Sequence, residues 1–243
     1  MKTNHRSDAV VFIVAHPDDV AHAMGGTAWL LRDKYRIHVF CATKGERGLA
    51  GKTPREAGVI REKEERAVCR KLKAGVTFLS QMDGEVYSDR KTCKLVADGL
   101  ARLQPRAIFT LWPINRHRDH IAAYDITMQA IKYSGISPDL DVYMAENEIG
   151  GVTRQFEPDI LVDISDVIEH KRDLIRLHTS QNPNAEAVEK VIERNAFRAR
   201  FAQCAYVEAY KMASPVTAYQ SGHITGGVLL GLREKSITRR SGR

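Results

Sequence analysis

The sequence predicts an α/β fold, a Rossmann-like, doubly wound single domain with a mostly parallel sheet and helices on both faces. Three observations carry that expectation. Short apolar runs rich in β-branched residues, led by Ala9–Ala15 (AVVFIVA), read as strands buried on both faces. Each of the early runs is followed by a longer segment with helical spacing or helix-start chemistry. No linker or internal repeat interrupts the alternation, and 243 residues suit one such domain.

In chain order, the first strand is followed by a polar turn and a helix over about 21–33, with Gly25-Gly26 permitting close backbone approach near its start. Ile37–Thr43 is the second strand. A glycine-rich loop from Gly45 to Gly51 leads to a charged helix over about 54–73. Val76–Ser80 is a short third strand, after which comes a loop containing Asp83-Gly84. A helix carrying Val96, Leu100 and Leu103 on one stripe ends before Pro105. Ala107–Trp112 is the fourth strand, and Ile121, Tyr124, Met128 and Ile131 recur at helical spacing up to Gly135, a C-cap. Val142–Ala145 and Ile160–Ile164 are further short strands. The remainder to Met212 reads as two helices broken near Asn182-Pro183.

In doubly wound sheets the ligand lies beyond the carboxyl ends of the strands, where strand order reverses. With the order 3-2-1-4-5, strands one and four are neighbours there. The residues that follow them are His16-Pro17-Asp18-Asp19 and His117-Arg118-Asp119-His120. A single buried histidine is more often a hydrogen-bonded core residue. Three histidines and three aspartates converging on one place form a carboxylate density that calls for a cation. Two neutral imidazoles and a carboxylate make an open metal site, suited first to zinc, with Fe(II) or another divalent ion as the alternative. Such an ion acidifies water from a pKa of ~15.7 towards ~7, and an adjacent non-ligating carboxylate then serves as general base.

Composition narrows the alternatives. There is no apolar run near membrane-spanning length, and the polar Met1–Asp8 does not read as a secretory signal. Cys41, Cys69, Cys93 and Cys204 are scattered, which fits free thiols in a reducing cytoplasm. The net charge of +7 is concentrated at the end of the chain, where Arg233, Lys235, Arg239, Arg240 and Arg243 face only Glu234. Elsewhere basic and acidic residues interleave, and no nucleic-acid motif occurs, so no nucleic-acid partner is expected.

Together, Ala15-His16-Pro17-Asp18-Asp19, Gly25-Gly26-Thr27, Thr43-Lys44-Gly45-Glu46-Arg47-Gly48 and His117-x-Asp119-His120 resemble the LmbE-like, PIG-L-type family of metal-dependent N-acetylglucosaminyl deacetylases. The similarity continues through Arg61-x-x-Glu64, Asp83-Gly84, Val162–Ser165, His178–Gln181 and Tyr206–Ala209. It implies a deacetylase domain over 1–213 and leaves 214–243 as an extension with a basic, flexible end. By the same resemblance His16, Asp19 and His120 are the metal ligands and Asp18 is the general base. His117 polarises the amide carbonyl, stabilises the oxyanion or protonates the leaving amine, and Asp119 orients His117. A helix N-cap is the alternative role for Asp119. Arg61 and Asp83 match substrate-contacting positions, against the plainer readings of an exposed helix charge and a turn residue.

Glu46 and Arg47 lie close enough to shape the pocket; His178 reads as a helix-end residue, and His22 and His38 as structural. Two positions depart from the family pattern: Ala21 stands where Glu is common and Arg118 where Pro is usual. The expected substrate is a small amino-sugar conjugate, and the resemblance implies a homo-oligomer, a trimer or hexamer. Two other readings remain open at this point. One is a catalytically silent metal-binding protein of the same fold. The other is a nucleotide- or sugar-phosphate-binding module, against which His16–Asp19 sets carboxylates where phosphates need backbone N–H groups.

Overall fold

The computed structural model describes residues 8–136, 140–147, 153–182, 184, 186–200, 202–213, 228 and 237–239. The polar stretch Met1–Ser7, Pro183 and most of the basic C-terminal segment lie outside the described residues.

β1 (Ala9–Val14) lies at the centre of the parallel region, between β2 (Arg36–Cys41) and β4 (Pro105–Leu111). β3 (Gly75–Phe78) pairs with β2, and β5 (Asp141–Ala145) with β4, both in parallel. Three antiparallel strands complete the sheet, β6 (Ile160–Asp163), β7 (Val207–Ala213) and β8 (Ile237–Arg239), giving the order β3-β2-β1-β4-β5-β7-β6-β8. The expected 3-2-1-4-5 arrangement and its reversal between β1 and β4 are therefore present.

β1 shows why the fold takes two layers of helices. Val10, Phe12 and Val14 face one apolar cluster, and Val11 and Ile13 face the other, as alternation along a strand requires. The first cluster takes in α1 (Gly25–Leu31), α2 (Pro54–Lys71), α5 (Ile168–Arg176) and α6 (Glu186–Ala199) through Leu31, Val68, Leu174 and Ile192. The second takes in α3 (Arg90–Leu103) and α4 (Arg118–Ser134) through Val96, Leu100, Ile126 and Ala130. Among the described residues no helix is long and apolar enough to cross a membrane.

Local chemistry sets the ends of these elements. Thr53 and Glu56 form a reciprocal capping box at the start of α2, with Pro54 next to the cap. Gly135 ends α4 with a φ of 65°. The α4 helix forms where its periodicity predicts, but its buried stripe is Ala122, Ala123, Ile126, Thr127 and Ala130, with Tyr124 and Met128 half-buried beside it. Small side chains let α4 approach the sheet, and the Thr127 hydroxyl, which donates to the Ala123 carbonyl at 2.8 Å, is hydrogen-bonded to the hydroxyl of Thr110 on β4 at 3.1 Å.

Two expectations require correction. The expected helix over about 21–33 starts as a single π-helical turn, Val20–Met24, before α1. The segment to Met212 contains α5 and α6 but ends in strand β7. Val207–Tyr210 are all buried because β7 lies inside the sheet, between β5 and β6, so no polar alternation marks it as a strand.

Candidate functional site

The chain leaves β1 through a tight turn in which Asp18 has a φ of 100°, a conformation that disfavours any side chain. Asp19 closes this turn: its Oδ2 accepts the backbone N–H groups of Ala15 at 3.1 Å and His16 at 2.8 Å. Its other oxygen, Oδ1, lies 3.4 Å from His120 Nε2 and accepts from Asn147 Nδ2 at 2.9 Å.

Beyond β4, His117 is the N-cap of α4, and its Nδ1 accepts the Asp119 N–H at 3.3 Å. A neutral His117 with Nδ1 accepting carries its proton on Nε2. His117 is exposed, and its ring lies 4.6 Å from those of both His16 and His120. The strand order thus gathers His16, Asp18, Asp19, His117 and His120 around one cavity of about 850 Å³, with Arg61 and Asp83 also in its lining.

Asp119 is buried but its carboxylate is directed elsewhere than at His117. Oδ2 lies 3.0 Å from His16 Nε2 and accepts the Gly84 N–H at 2.6 Å, while Oδ1 accepts the Val86 N–H at 3.3 Å. The cap of α4 belongs to His117, and Asp119, already inside the first turn, ties the Asp83-Gly84 loop to the His16 imidazole instead.

Arg61 is only 4% exposed, so it is not a solvated helix charge. Its Nη2 donates to the Pro17 carbonyl at 2.8 Å and to Asp18 Oδ2 at 2.9 Å, and its Nη1 to the Gly45 carbonyl at 3.4 Å. Gly45 has a φ of 71°, and a Cβ there would collide with the guanidinium. Asp83 lies 3.7 Å from Arg61 and 3.3 Å from His16, and it accepts the Arg47 N–H at 3.3 Å. Glu46 in turn accepts the Asp83 N–H at 3.4 Å.

These contacts fix the local electrostatics. Burial opposes charge on His16, but hydrogen bonds to Asp119 and Asp83 and the charge of Asp19 outweigh it and raise the imidazole to about 10. Burial raises Asp18, with the Arg61 guanidinium pulling the other way. His120 is held near 4 by burial, hence neutral. Behind the turn, Glu65 accepts the Asp18 N–H at 3.3 Å, lies 3.5 Å from His178 and is pushed by burial up to about 7. His178 and His22 are each lowered by burial to about 4. Neither His22 Nε2 nor the His178 ring nitrogens have a hydrogen-bond partner among the described residues.

The donor set fits a divalent cation. Donor atoms of His16, His117 and His120 lie within 4.8 Å of one another, as do those of His16, Asp83 and Asp119. In the trio expected from the resemblance, Asp19 reaches His120 through Oδ1 at 3.4 Å and His16 Nδ1 through Oδ2 at 3.8 Å. Buried His120 Nδ1 has no hydrogen-bond partner among the described residues. Four clustered carboxylates, the neutral His120 imidazole and the His16 imidazole, whose proton an incoming cation would displace, are oxygen and nitrogen donors of the kind that zinc and ferrous iron accept.

Part of the cavity is not foreseen by the sequence. One wall is α6, through Lys190, Arg194 and Phe197, and Asn147 reaches the ligand cluster from the end of β5. The rule that ligands lie beyond strand carboxyl ends applies to β5 as well and would have singled out Asn147. His22, read as structural, also lines the cavity. Of the two departures, Ala21 is buried in the apolar core and Arg118 is exposed at the start of α4.

The sequence and the fold are similar to those of known proteins. Residues 11–131 match the family model described as PIG-L, GlcNAc-PI de-N-acetylase. Diacetylchitobiose deacetylase of Thermococcus kodakarensis is 28% identical over 188 residues, covering 72% of this chain and 70% of that protein. The structure of N,N'-diacetylchitobiose deacetylase from Pyrococcus horikoshii superposes with a TM-score of 0.77 at 25% identity, over 90% of this chain and 86% of that one. The 4-carboxy-2-hydroxymuconate hydratase of Pseudomonas putida shares the fold at 22% identity, with a TM-score of 0.75 over 91% of this chain and 99% of its own.

Proposed function

Since this chain belongs to the PIG-L family, we propose that it is a metal-dependent hydrolase that removes the acetyl group from an N-acetylglucosamine-type conjugate. The observation that carries this reading is the convergence of His16, Asp18, Asp19, His117 and His120 on one cavity at the ends of β1 and β4.

In this reading His16, Asp19 and His120 hold the cation, with zinc as the first choice and Fe(II) or another divalent ion as the alternative. The bound cation supplies Lewis acidity, which acidifies water and polarises a carbonyl. Asp18 accepts the proton of the attacking water. Two features suit it to the role of base, since Arg61 holds its carboxylate from one side and burial raises its proton affinity. His117, exposed at the rim with Nε2–H directed away from its capping bond, donates to the developing oxyanion or to the departing amine. Asp119 acts on His16, fixing its orientation as a carboxylate does behind a ligating histidine. Arg61 braces the base as well as bordering the substrate cavity, and Asp83 sits between His16 and the Arg47 loop.

The decisive experiment couples metal analysis to acetate release across a panel of N-acetylglucosamine conjugates. Stoichiometric metal with acetate release from at least one conjugate supports the reading. Metal without acetate release from any of them overturns the deacetylase assignment and favours the silent metal-binding protein. A protein that takes up no divalent metal overturns the metal-dependent mechanism.

A further inference from the structure

Asn147 places a neutral amide among the charged groups that line the cavity. It lies just beyond β5, the strand next to β4, so the site draws on three adjacent strand ends. Its Nδ2 donates to Asp19 Oδ1 at 2.9 Å and lies 3.4 Å from His120 Nε2, and those two atoms are themselves 3.4 Å apart. The amide therefore touches both partners at the edge where they face each other. Asp19 Oδ2 is already occupied by two backbone N–H groups, so Oδ1 is the oxygen whose direction Asn147 governs.

Asn147 is itself held from behind. Glu146 is buried and makes a two-point ion pair with Arg198 of α6, at 2.7 Å to Nε and 2.6 Å to Nη2. One turn earlier on the same helix, Arg194 donates to the carbonyl of His22, in the π-helical turn that follows Asp19. Arg194 and Arg198 share a face of α6, so a single helix fixes the segment after Asp19 and the segment before Asn147.

We propose that Asn147 is a positioning residue of the metal centre: its side-chain amide holds Asp19 Oδ1 in register with His120 Nε2. This rests on the assignment of Asp19 and His120 as ligands in the proposed function. Supporting groups behind metal ligands are commonly worth about 10- to 100-fold in metal affinity. Asn147→Leu, close in volume but without donors, is expected to weaken Zn²⁺ binding by about that factor, read by competition with a chromophoric chelator. Its Co²⁺ complex is expected to show a shifted visible spectrum, because Asp19 Oδ1 is no longer held. Arg198→Met, which removes the anchor and leaves the amide in place, is expected to move both readouts in the same direction by a smaller factor. A thermal melt of each metal-free variant verifies folding, and Asn147→Ala serves if the leucine is not accommodated.

Wild-type Zn²⁺ affinity together with an unchanged Co²⁺ spectrum in a folded Asn147 variant overturns the proposal. So does tighter binding, which would mean that the amide competes with the ion. A raised KM with unaltered metal affinity also overturns it, by making Asn147 a substrate contact. If the wild-type protein binds neither Zn²⁺ nor Co²⁺, the proposed function fails first and the assignment of Asn147 falls with it.

Discussion

Of the buried charge among the described residues, two clusters have their polar groups satisfied in opposite ways. In one, Lys171 of α5 and Glu208 of β7 are both 0% exposed and 2.6 Å apart. The Glu208 carboxylate also accepts the Gly26 and Thr27 N–H groups at 2.8 and 2.7 Å and the Tyr210 hydroxyl at 3.1 Å. One cation meets one anion, and both carboxylate oxygens are filled from the protein. In the other, Asp18, Asp19, Asp83 and Asp119 crowd around His16. There Arg61 is the buried guanidinium set against them, and buried His120 Nδ1 has no hydrogen-bond partner among the described residues. The balanced cluster closes the seam between α1, α5 and β7. The unbalanced one lies open to a cavity and has the composition of a site that takes up a cation. Buried charge by itself indicates nothing about function; the imbalance does.

The sharpest way to separate the two clusters is to change one member of each. Asp18→Asn removes the proposed base and is expected to lower kcat by about 10³- to 10⁴-fold, or ~4–5 kcal/mol, while Zn²⁺ content stays at the wild-type level. Activity within tenfold of wild type would remove Asp18 from the mechanism. Glu208→Ala strands a buried lysine and is expected to cost about 3–5 kcal/mol of stability. It should lower the melting temperature by roughly 10 °C, with kcat per folded molecule unchanged. An equal loss of kcat would mean that the balanced cluster is not merely structural.

Smaller effects probe the surroundings of each cluster. Gly26 supplies an N–H to Glu208, and a Cβ there would lie 2.7 Å from Ile164 Cγ2. Gly26→Ala is expected to cost about 1–3 kcal/mol through overpacking, measured by denaturant unfolding. Around the open site, His22 and His178 ionise near 4 in the folded protein against an ordinary value of 6.5. Between pH 6.5 and 4 the unfolded chain takes up protons that the folded one refuses. Stability from these groups is thus full above about pH 6.5 and lost as pH falls towards 4. Glu65, pushed up to about 7, and His16, raised to about 10, act the other way in the same window, so the readout is a difference: between about pH 7 and about pH 5 His22→Gln should lose less melting temperature than the wild type. An unaltered slope in the variant would show that acid sensitivity arises elsewhere.

How much of this the sequence reveals depends on where side-chain contacts are local. The strands β1, β2, β4 and β5 are legible because parallel strands covered on both faces are continuous apolar runs, the half-exposed edge strand β3 is legible by its short β-branched run, and the switch point then locates both histidine clusters. Strand β7 is not legible, since Glu208 within it looks polar until its four donors, from α1, α5 and β7 itself, are assembled around it. Arg61 is ambiguous between surface and site because a helix surrounded by charges gives no sign of which one turns inward. The resemblance pairs Asp119 with its neighbour His117, whereas its partner in the structure, His16, is 103 residues away in the chain. The α6 wall and Asn147 need the tertiary structure, apart from the hint that β5 also ends at the switch side.

The left-handed backbone at Asp18 has a consequence for how this chain can vary. Glycine occupies a φ of 100° at no steric cost, so the backbone alone would be relaxed by replacing this aspartate. A search for sturdier variants guided by backbone comfort would therefore target the residue proposed to activate water. On the proposed mechanism a carboxylate is kept there for its chemistry as well as for its ion pair with Arg61, and any stabilised version of this protein should be screened at position 18 before its melting temperature is taken as progress.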